Sequence, residues 1–229
     1  MRMVIADGDG EYAEIIAEAL RRDGHETRMA GTGAAALQAA AQFVPGAAVL
    51  EAELPDGPGC AVARELRAQW PAIGIVFVSR LDRECDVLAG FAAGADDYVG
   101  KPFHPAVLVA RVRALARRAG TGLVPAAPVR GCGLEFDAER RAAYFNGRDL
   151  RCTPIELAIL QAMAALPGQA LPHAFINQRV WSYPNLPDGT LLKGHVSAIR
   201  RKLREAGGSD AMLRTVPRVG YALAAGSGG

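Results

Sequence analysis

Cysteine is scarce in this 229-residue chain and is never paired. Cys60, Cys85, Cys132 and Cys152 lie far apart, with no Cys-x-x-Cys spacing. That pattern argues against a disulfide framework or a thiolate metal site, and free thiols in a reducing cytoplasm are expected. His25, His104, His173 and His195 are equally scattered, so no metal and no cofactor are expected. No nucleophile–base pair stands out, which argues against an enzyme. No apolar run approaches the ~18 residues that span a bilayer, and no signal peptide is recognisable. A soluble, cytoplasmic protein with no membrane partner is expected. Repeats and low-complexity stretches are also missing, apart from a Gly/Ser tail.

What is present is an uneven division of charge. The whole chain carries only +2. Residues 1–118 hold thirteen basic and sixteen acidic residues, net −3, while residues 119–229 hold thirteen and eight, net +5. A basic second half points to a polyanionic partner. The length suits two domains of about 100 residues, and an apolar content of 50% supplies a core for each.

In the first half, short apolar runs at 3–6, 47–50, 73–78 and 98–99 read as buried strands, with a more polar strand at 27–29. Helical periodicity falls between them, at 12–22, 33–42, 60–69, 86–93 and 105–118. Strand–helix alternation implies a parallel sheet covered on both faces. Such sheets carry their sites beyond the carboxyl ends of the strands.

Residues 119–130 are rich in Gly, Pro and Ala without periodicity and read as a linker. Short antiparallel strands follow at 134–137, 142–145 and 149–151, with Asn146-Gly147 as a hairpin turn. Helices are expected at 154–165, 172–181 and 191–206, and a hairpin at 213–223. Thr153-Pro154-Ile155-Glu156 opens the first of these helices. Thr is an N-cap, Pro suits the first turn, and Glu156 sits at the capping-box position.

Two stretches of the first half carry chemistry. Residues 47–59 read as an apolar run ending in Glu51, followed by Leu54-Pro55-Asp56-Gly57. Residues 94–103 read Gly-Ala-Asp-Asp-Tyr-Val-Gly-Lys-Pro-Phe. Together with the second half, these resemble response regulators of the OmpR/PhoB family across nearly the whole chain. The resemblance implies a flavodoxin-like α/β receiver domain over 1–118, a linker over 119–130 and an α+β winged-helix DNA-binding domain over 131–225. It also implies that Lys101 is the residue that contacts a phosphoryl group and that a cis peptide precedes Pro102. Ser79 matches the hydroxyl that senses phosphate, and Tyr98 the aromatic switch residue.

The departures from the family matter more. Glu51 stands where the family has the aspartate nucleophile that forms an acyl phosphate. In Asp7-Gly8-Asp9-Gly10-Glu11, Gly8 falls where a carboxylate would ligate Mg²⁺ directly, and Mg²⁺ needs oxygen ligands in near-octahedral array. An EF-hand reading of this segment fails, because placing Gly10 at the sixth loop position puts Ile5 at the first. Glu51 then either mimics the phosphorylated state or pairs with Lys101, or else it is a remnant in a structural domain. The resemblance further implies dimerisation through the fourth helix, fifth strand and fifth helix. Asp97 and Arg111 match one cross-subunit ion pair, and another falls on Val87 and Val107, both apolar.

In the second half, Leu192, Val196, Ile199 and Leu203 form one helical stripe. The other side displays Lys193, Ser197, Arg200, Arg201 and Arg204, with Thr190, His195 and Lys202 beside it. On composition alone this is a solvated basic face. Thr153–Leu157, Val180-Trp181, His195-Val196-Ser197 and Val219-Gly220-Tyr221 all fall in family order, which makes it a major-groove helix. Arg200 and Arg201 are expected to supply the main contacts, Arg200 to phosphate, with Lys193, His195 and Ser197 as groove readers. Arg218 suits a wing. Ala198 sits where some members carry a base-reading Arg, Gly194 costs ~1 kcal/mol relative to Ala, and Pro217-Arg218 replaces a common Arg-Gly order, so the operator does not transfer from relatives.

The reading is a DNA-binding transcription regulator, homodimeric through its receiver and independent of phosphorylation. Its Ala/Gly/Arg-rich composition resembles that of high-GC actinobacterial proteins, among which regulators of this atypical kind often control secondary-metabolite genes, and binding to direct repeats or paired half-sites is expected. RNA polymerase and a small-molecule ligand are left open as partners. Two alternatives are a conventional regulator phosphorylated on Asp9 or Asp56, and a sensor using the altered pocket.

Overall fold

The computed structural model describes residues 1–81, 83–120, 133–181 and 190–225. The chain divides into two compact units, Met1–Arg117 and Arg118–Gly229. From residue 121 onward, the stretch read as a linker lies outside the described residues.

The first unit alternates β1 (Arg2–Ala6), α1 (Gly10–Arg22), β2 (Glu26–Ala30), α2 (Gly33–Phe43) and β3 (Ala47–Leu50). A small hairpin of β4 (Glu53–Leu54) and β5 (Gly57–Pro58) leads to α3 (Gly59–Gln69), β6 (Gly74–Ser79), α4 (Glu84–Ala92), β7 (Asp97–Gly100) and α5 (Pro105–Gly120). The five long strands pair in parallel in the order β2-β1-β3-β6-β7. Every residue of β3 and β6 is buried, as apolar runs between two helical layers must be. Only the edge strand β2 is largely exposed, which explains its polar sequence. α5 continues two residues past its expected end, to Gly120.

Helix ends are fixed by named side chains. Asp9 caps α1, its Oδ1 accepting from the amides of Glu11 and Tyr12. Thr32 caps α2. A longer-range cap comes from Asp56, whose two carboxylate oxygens accept from Gly33 N at 2.7 Å and Ala34 N at 2.9 Å. Behind the sheet, Arg67 of α3 donates to Asp96 at 2.8 Å and to the carbonyls of Pro71, Ile73 and Gly94. Asp96 is fully buried and also accepts from Ile75 N at 2.8 Å.

In the second unit, β8 (Leu134–Asp137), β9 (Ala142–Phe145) and β10 (Arg148–Asp149) form an antiparallel sheet. Asn146 and Gly147 both have positive φ, 48° and 75°, as a tight hairpin requires. Then follow α6 (Pro154–Ala164), β11 (Leu171–Pro172), α7 (His173–Trp181), α8 (Thr190–Glu205), a 3₁₀ turn (Asp210–Met212), β12 (Leu213–Val216) and β13 (Gly220–Leu223). Pro172, read as the start of a helix, instead pairs as a strand residue with Gly220. The capping box of α6 is complete, and Glu156 Oε2 also takes Lys202 Nζ at 2.5 Å. Gly220 admits no side chain, since a Cβ there would lie 2.0 Å from the Leu171 carbonyl oxygen.

Arg67→Ala removes the guanidinium that bonds the buried Asp96 carboxylate. The receiver should lose about 3–5 kcal/mol of stability, read from the urea midpoint of its unfolding transition.

Candidate functional site

The carboxyl ends of β1, β3, β6 and β7 bring Asp7, Glu51, Ser79 and Lys101 to one place, around a cavity of about 340 Å³. Lys101 is the centre of it. Its side chain is 2% exposed, and its ammonium donates to Asp7 Oδ2 at 2.6 Å and Glu51 Oε2 at 2.7 Å. The Tyr12 ring centre lies 4.3 Å away, a cation–π contact on a third side. Burial pulls the Lys101 pKa down, but the two carboxylates outweigh it and the net shift is upward. The remaining oxygens are engaged too: Asp7 Oδ1 accepts from Asp9 N at 3.0 Å and Glu51 Oε1 from Ala52 N at 2.7 Å. The peptide between Lys101 and Pro102 is cis.

The residues do not fit a divalent cation bound as receivers bind it. Gly8 offers no ligand, and a Cβ there would stand 2.9 Å from both Cγ and Cδ of Pro55. Asp9 serves chiefly as the α1 cap, with Arg80 at 3.6 Å from its other oxygen.

Ser79 is buried, and its hydroxyl accepts from Leu81 N at 3.1 Å. Tyr98 lies inward, stacked on Phe77 at 5.8 Å, and its hydroxyl donates to the Leu81 carbonyl. Gly90 of α4 leaves room for this setting, since a Cβ there would meet the Tyr98 ring at 3.3 Å. Burial raises the Tyr98 pKa to about 12.

The expected dimer residues fall differently. Arg111 donates to Asp97 at 2.5 Å within the same chain. Val107 is 45% exposed on α5, whereas Val87 is only 8% exposed. The reading of Val87 as half of a surface patch is therefore corrected: α4 turns it inward.

On α8, the stripe of Leu192, Val196, Ile199 and Leu203 is buried, and Lys193, Ser197, Arg201 and Arg204 are exposed. His195 corrects the sequence reading. It is fully buried, with its ring 5.7 Å from that of Trp181, and does not face a groove. Lys202 is held by Glu156 and the Arg151 carbonyl. Arg200 is held by β12, and Arg204 pairs with Asp210 at 2.7 Å. Thr190 opens the helix. Arg218 is exposed at the turn of the terminal hairpin, with φ 63°. Sequence reasoning missed Tyr12, Pro55, Arg80 and the capping role of Asp56. For Asp56 alone, the Leu-Pro-Asp-Gly turn was a usable signal.

A strand-end pocket on a five-stranded parallel sheet, followed by a winged helix with a basic recognition helix, defines a DNA-binding response regulator. Residues 3–113 match the response regulator receiver domain, and residues 147–223 match the C-terminal domain of transcriptional regulatory proteins. The chain belongs to the OmpR/PhoB-type response regulators. It is 34% identical over 220 residues to the DNA-binding response regulator MtrA of Mycolicibacterium paratuberculosis, covering 96% of each chain. It is 36% identical over 223 residues to the transcriptional regulatory protein PrrA of Mycobacterium tuberculosis, covering 97% of this chain and 95% of PrrA. A RitR variant shares the fold at 21% identity and TM-score 0.75, over 98% of this chain and 99% of that one. The Thermotoga maritima OmpR/PhoB homolog DrrB matches at 25% identity and TM-score 0.52, over 97% and 98%. These relatives are named as DNA-binding and transcriptional regulators, and this chain is a DNA-binding transcription regulator. Among the described residues, no helix is long and apolar enough to cross a membrane.

Because folding raises the Tyr98 pKa from 10.0 to about 12, neutral Tyr98 contributes stability below about pH 10 that is lost as pH rises through 12. Urea midpoints measured across that window should fall more steeply for the wild type than for Tyr98→Phe.

Proposed function

We propose that this regulator binds DNA without phosphorylation, its receiver held in one setting by its own side chains. The observation that carries this is the Lys101 ammonium, engaged by Asp7 and Glu51 at 2.6 and 2.7 Å. Glu51 reaches Lys101 through its extra methylene and supplies a fixed anion where a receiver's phosphoacceptor would stand. Tyr98 is already turned inward onto Leu81. The contact between Gly8 and Pro55 supports the same reading, because the space of a direct metal ligand is filled.

The carboxylates of the conventional alternative have other duties. Asp9 caps α1 and Asp56 caps α2. The amides of Ala34 and Gly33 hold the Asp56 pKa below the usual carboxylate range. The dimer contact of this reading is the α4–β7–α5 face, with exposed Val107 as its apolar centre and the Asp97–Arg111 pair fixing β7 against α5. Binding as a dimer to direct repeats or paired half-sites follows from the family, and control of secondary-metabolite genes rests on composition. Selecting bound fragments from a sheared genomic pool identifies the operator.

Incubation with Mg²⁺ and acetyl phosphate should change neither the mass of the protein nor its affinity for a selected duplex. A phosphoryl adduct on a receiver carboxylate with tighter binding overturns the reading. If a small molecule fills the cavity instead, a thermal-shift screen will show it as a rise in the receiver's melting temperature.

Val107→Glu should place a charge in the dimer contact and weaken self-association, seen by sedimentation equilibrium. An unchanged monomer–dimer equilibrium places the interface elsewhere.

A further inference from the structure

Arg200 lies among the cations of α8, yet its guanidinium turns toward its own domain. Nε donates to the Leu213 carbonyl at 2.7 Å and Nη2 to the Thr215 hydroxyl at 2.9 Å. The group also lies 5.8 Å from the centre of the Tyr221 ring. Leu213 and Thr215 belong to β12, and Tyr221 stands opposite Thr215 on β13. Tyr221 also stacks with His173, at the start of α7, at 5.2 Å. One side chain from the middle of the recognition helix therefore grips both strands of the terminal hairpin.

That hairpin is short. Val216 pairs with Gly220, leaving Pro217, Arg218 and Val219 as the turn. Arg218 takes φ 63°, a left-handed value that a residue with a Cβ adopts only when its surroundings impose it. Within the turn, the Val219 N–H bonds to the Val216 carbonyl and closes the loop around Arg218, while Arg200 holds the hairpin base below it. A planar guanidinium with fixed donor directions suits such a clamp, because two bonds set an angle as well as a distance.

We propose that Arg200 is a positioning residue for DNA binding. It sets the angle between the recognition helix and the wing, so that Arg218 meets the duplex while α8 lies in the groove. The groove-facing set is then Lys193, Ser197 and Arg201, exposed and spaced four residues apart. On this assignment the contribution of Arg200 to affinity passes through the wing, and the contributions of Arg200 and Arg218 are one quantity counted twice.

A double-mutant cycle on the full-length chain tests this. The variants are Arg200→Ala, Arg200→Lys, Thr215→Val, Arg218→Ala and the Arg200→Ala/Arg218→Ala pair. Binding is read by fluorescence anisotropy at several salt concentrations. The probes are a labelled duplex recovered from the genomic pool and a random-sequence duplex. Arg218→Ala should weaken binding about tenfold and lower the salt slope by ~1. Arg200→Ala should do the same, and the pair should bind within about twofold of either single variant. Thr215→Val carries no charge change and should reproduce part of the loss, and Arg200→Lys should restore part of it. Losses that multiply in the pair, with a salt slope lower by ~2, make Arg200 an independent phosphate contact and overturn the proposal. So does an Arg200→Ala protein that binds like wild type. Should Arg200→Ala fail to fold by circular dichroism, the cycle is run with Thr215→Val and Arg218→Ala. Non-additive losses there support the clamp, and additive losses overturn it.

Discussion

The receiver depends on one buried ammonium. Lys101 follows β7, Asp7 follows β1 and Glu51 follows β3, so a single cation closes three loops that the sheet only brings near one another. Without it, two largely buried carboxylates would face each other with no cation between them, where repulsion is stronger than at an open surface. A buried ion pair adds little to net stability, because desolvation offsets most of the attraction. Its value here is geometric. It leaves one arrangement in which every charge at the strand ends has a partner, and the inward Tyr98 and the Ser79–Leu81 contact lie beside it.

The winged-helix unit uses charge the same way at its centre. Glu156 closes the capping box of α6 and takes Lys202 from α8, so the recognition helix is tied to the helix behind it. Arg200 ties it to the strands on its other flank. Two of the cations on α8 are thus structural. The net +5 of the second half overstates the number of charges aimed at phosphate, while it still sets the field that draws DNA in.

Much of this was legible in the sequence because it follows from local rules. Period-two and period-3.6 patterns placed the strands and helices, Asn146-Gly147 the hairpin and Thr153-Pro154-Ile155-Glu156 the cap. The same rules misplace residues at boundaries. His195 precedes a stripe residue and is polar, so it read as surface, yet its flat ring packs on Trp181. Pro172 suits a first helical turn, but its strand pairing with Gly220 is set some fifty residues away and leaves no local mark. Val87 read as half of an apolar interface pair by the family's register, and α4 buries it. The Glu51–Lys101 pair was foreseen as one of two readings, because both residues were anchored to strand ends. Pro55 over Gly8 was not, because it depends on how a loop folds back.

That loop couples the strand-end site to the start of α2. Pro55 sits in a hairpin turn beside Asp56, which is fastened to the first amides of α2, and the proline ring fills the space beside Gly8. An acidic residue placed at position 8 would meet a rigid ring held on a pinned loop, and neighbours in contact do not contribute independently. A side chain at position 8 therefore has to displace the Pro55 ring, and with it the hairpin turn that also carries Asp56, so the metal-ligand position and the α2 cap are mechanically linked through one loop.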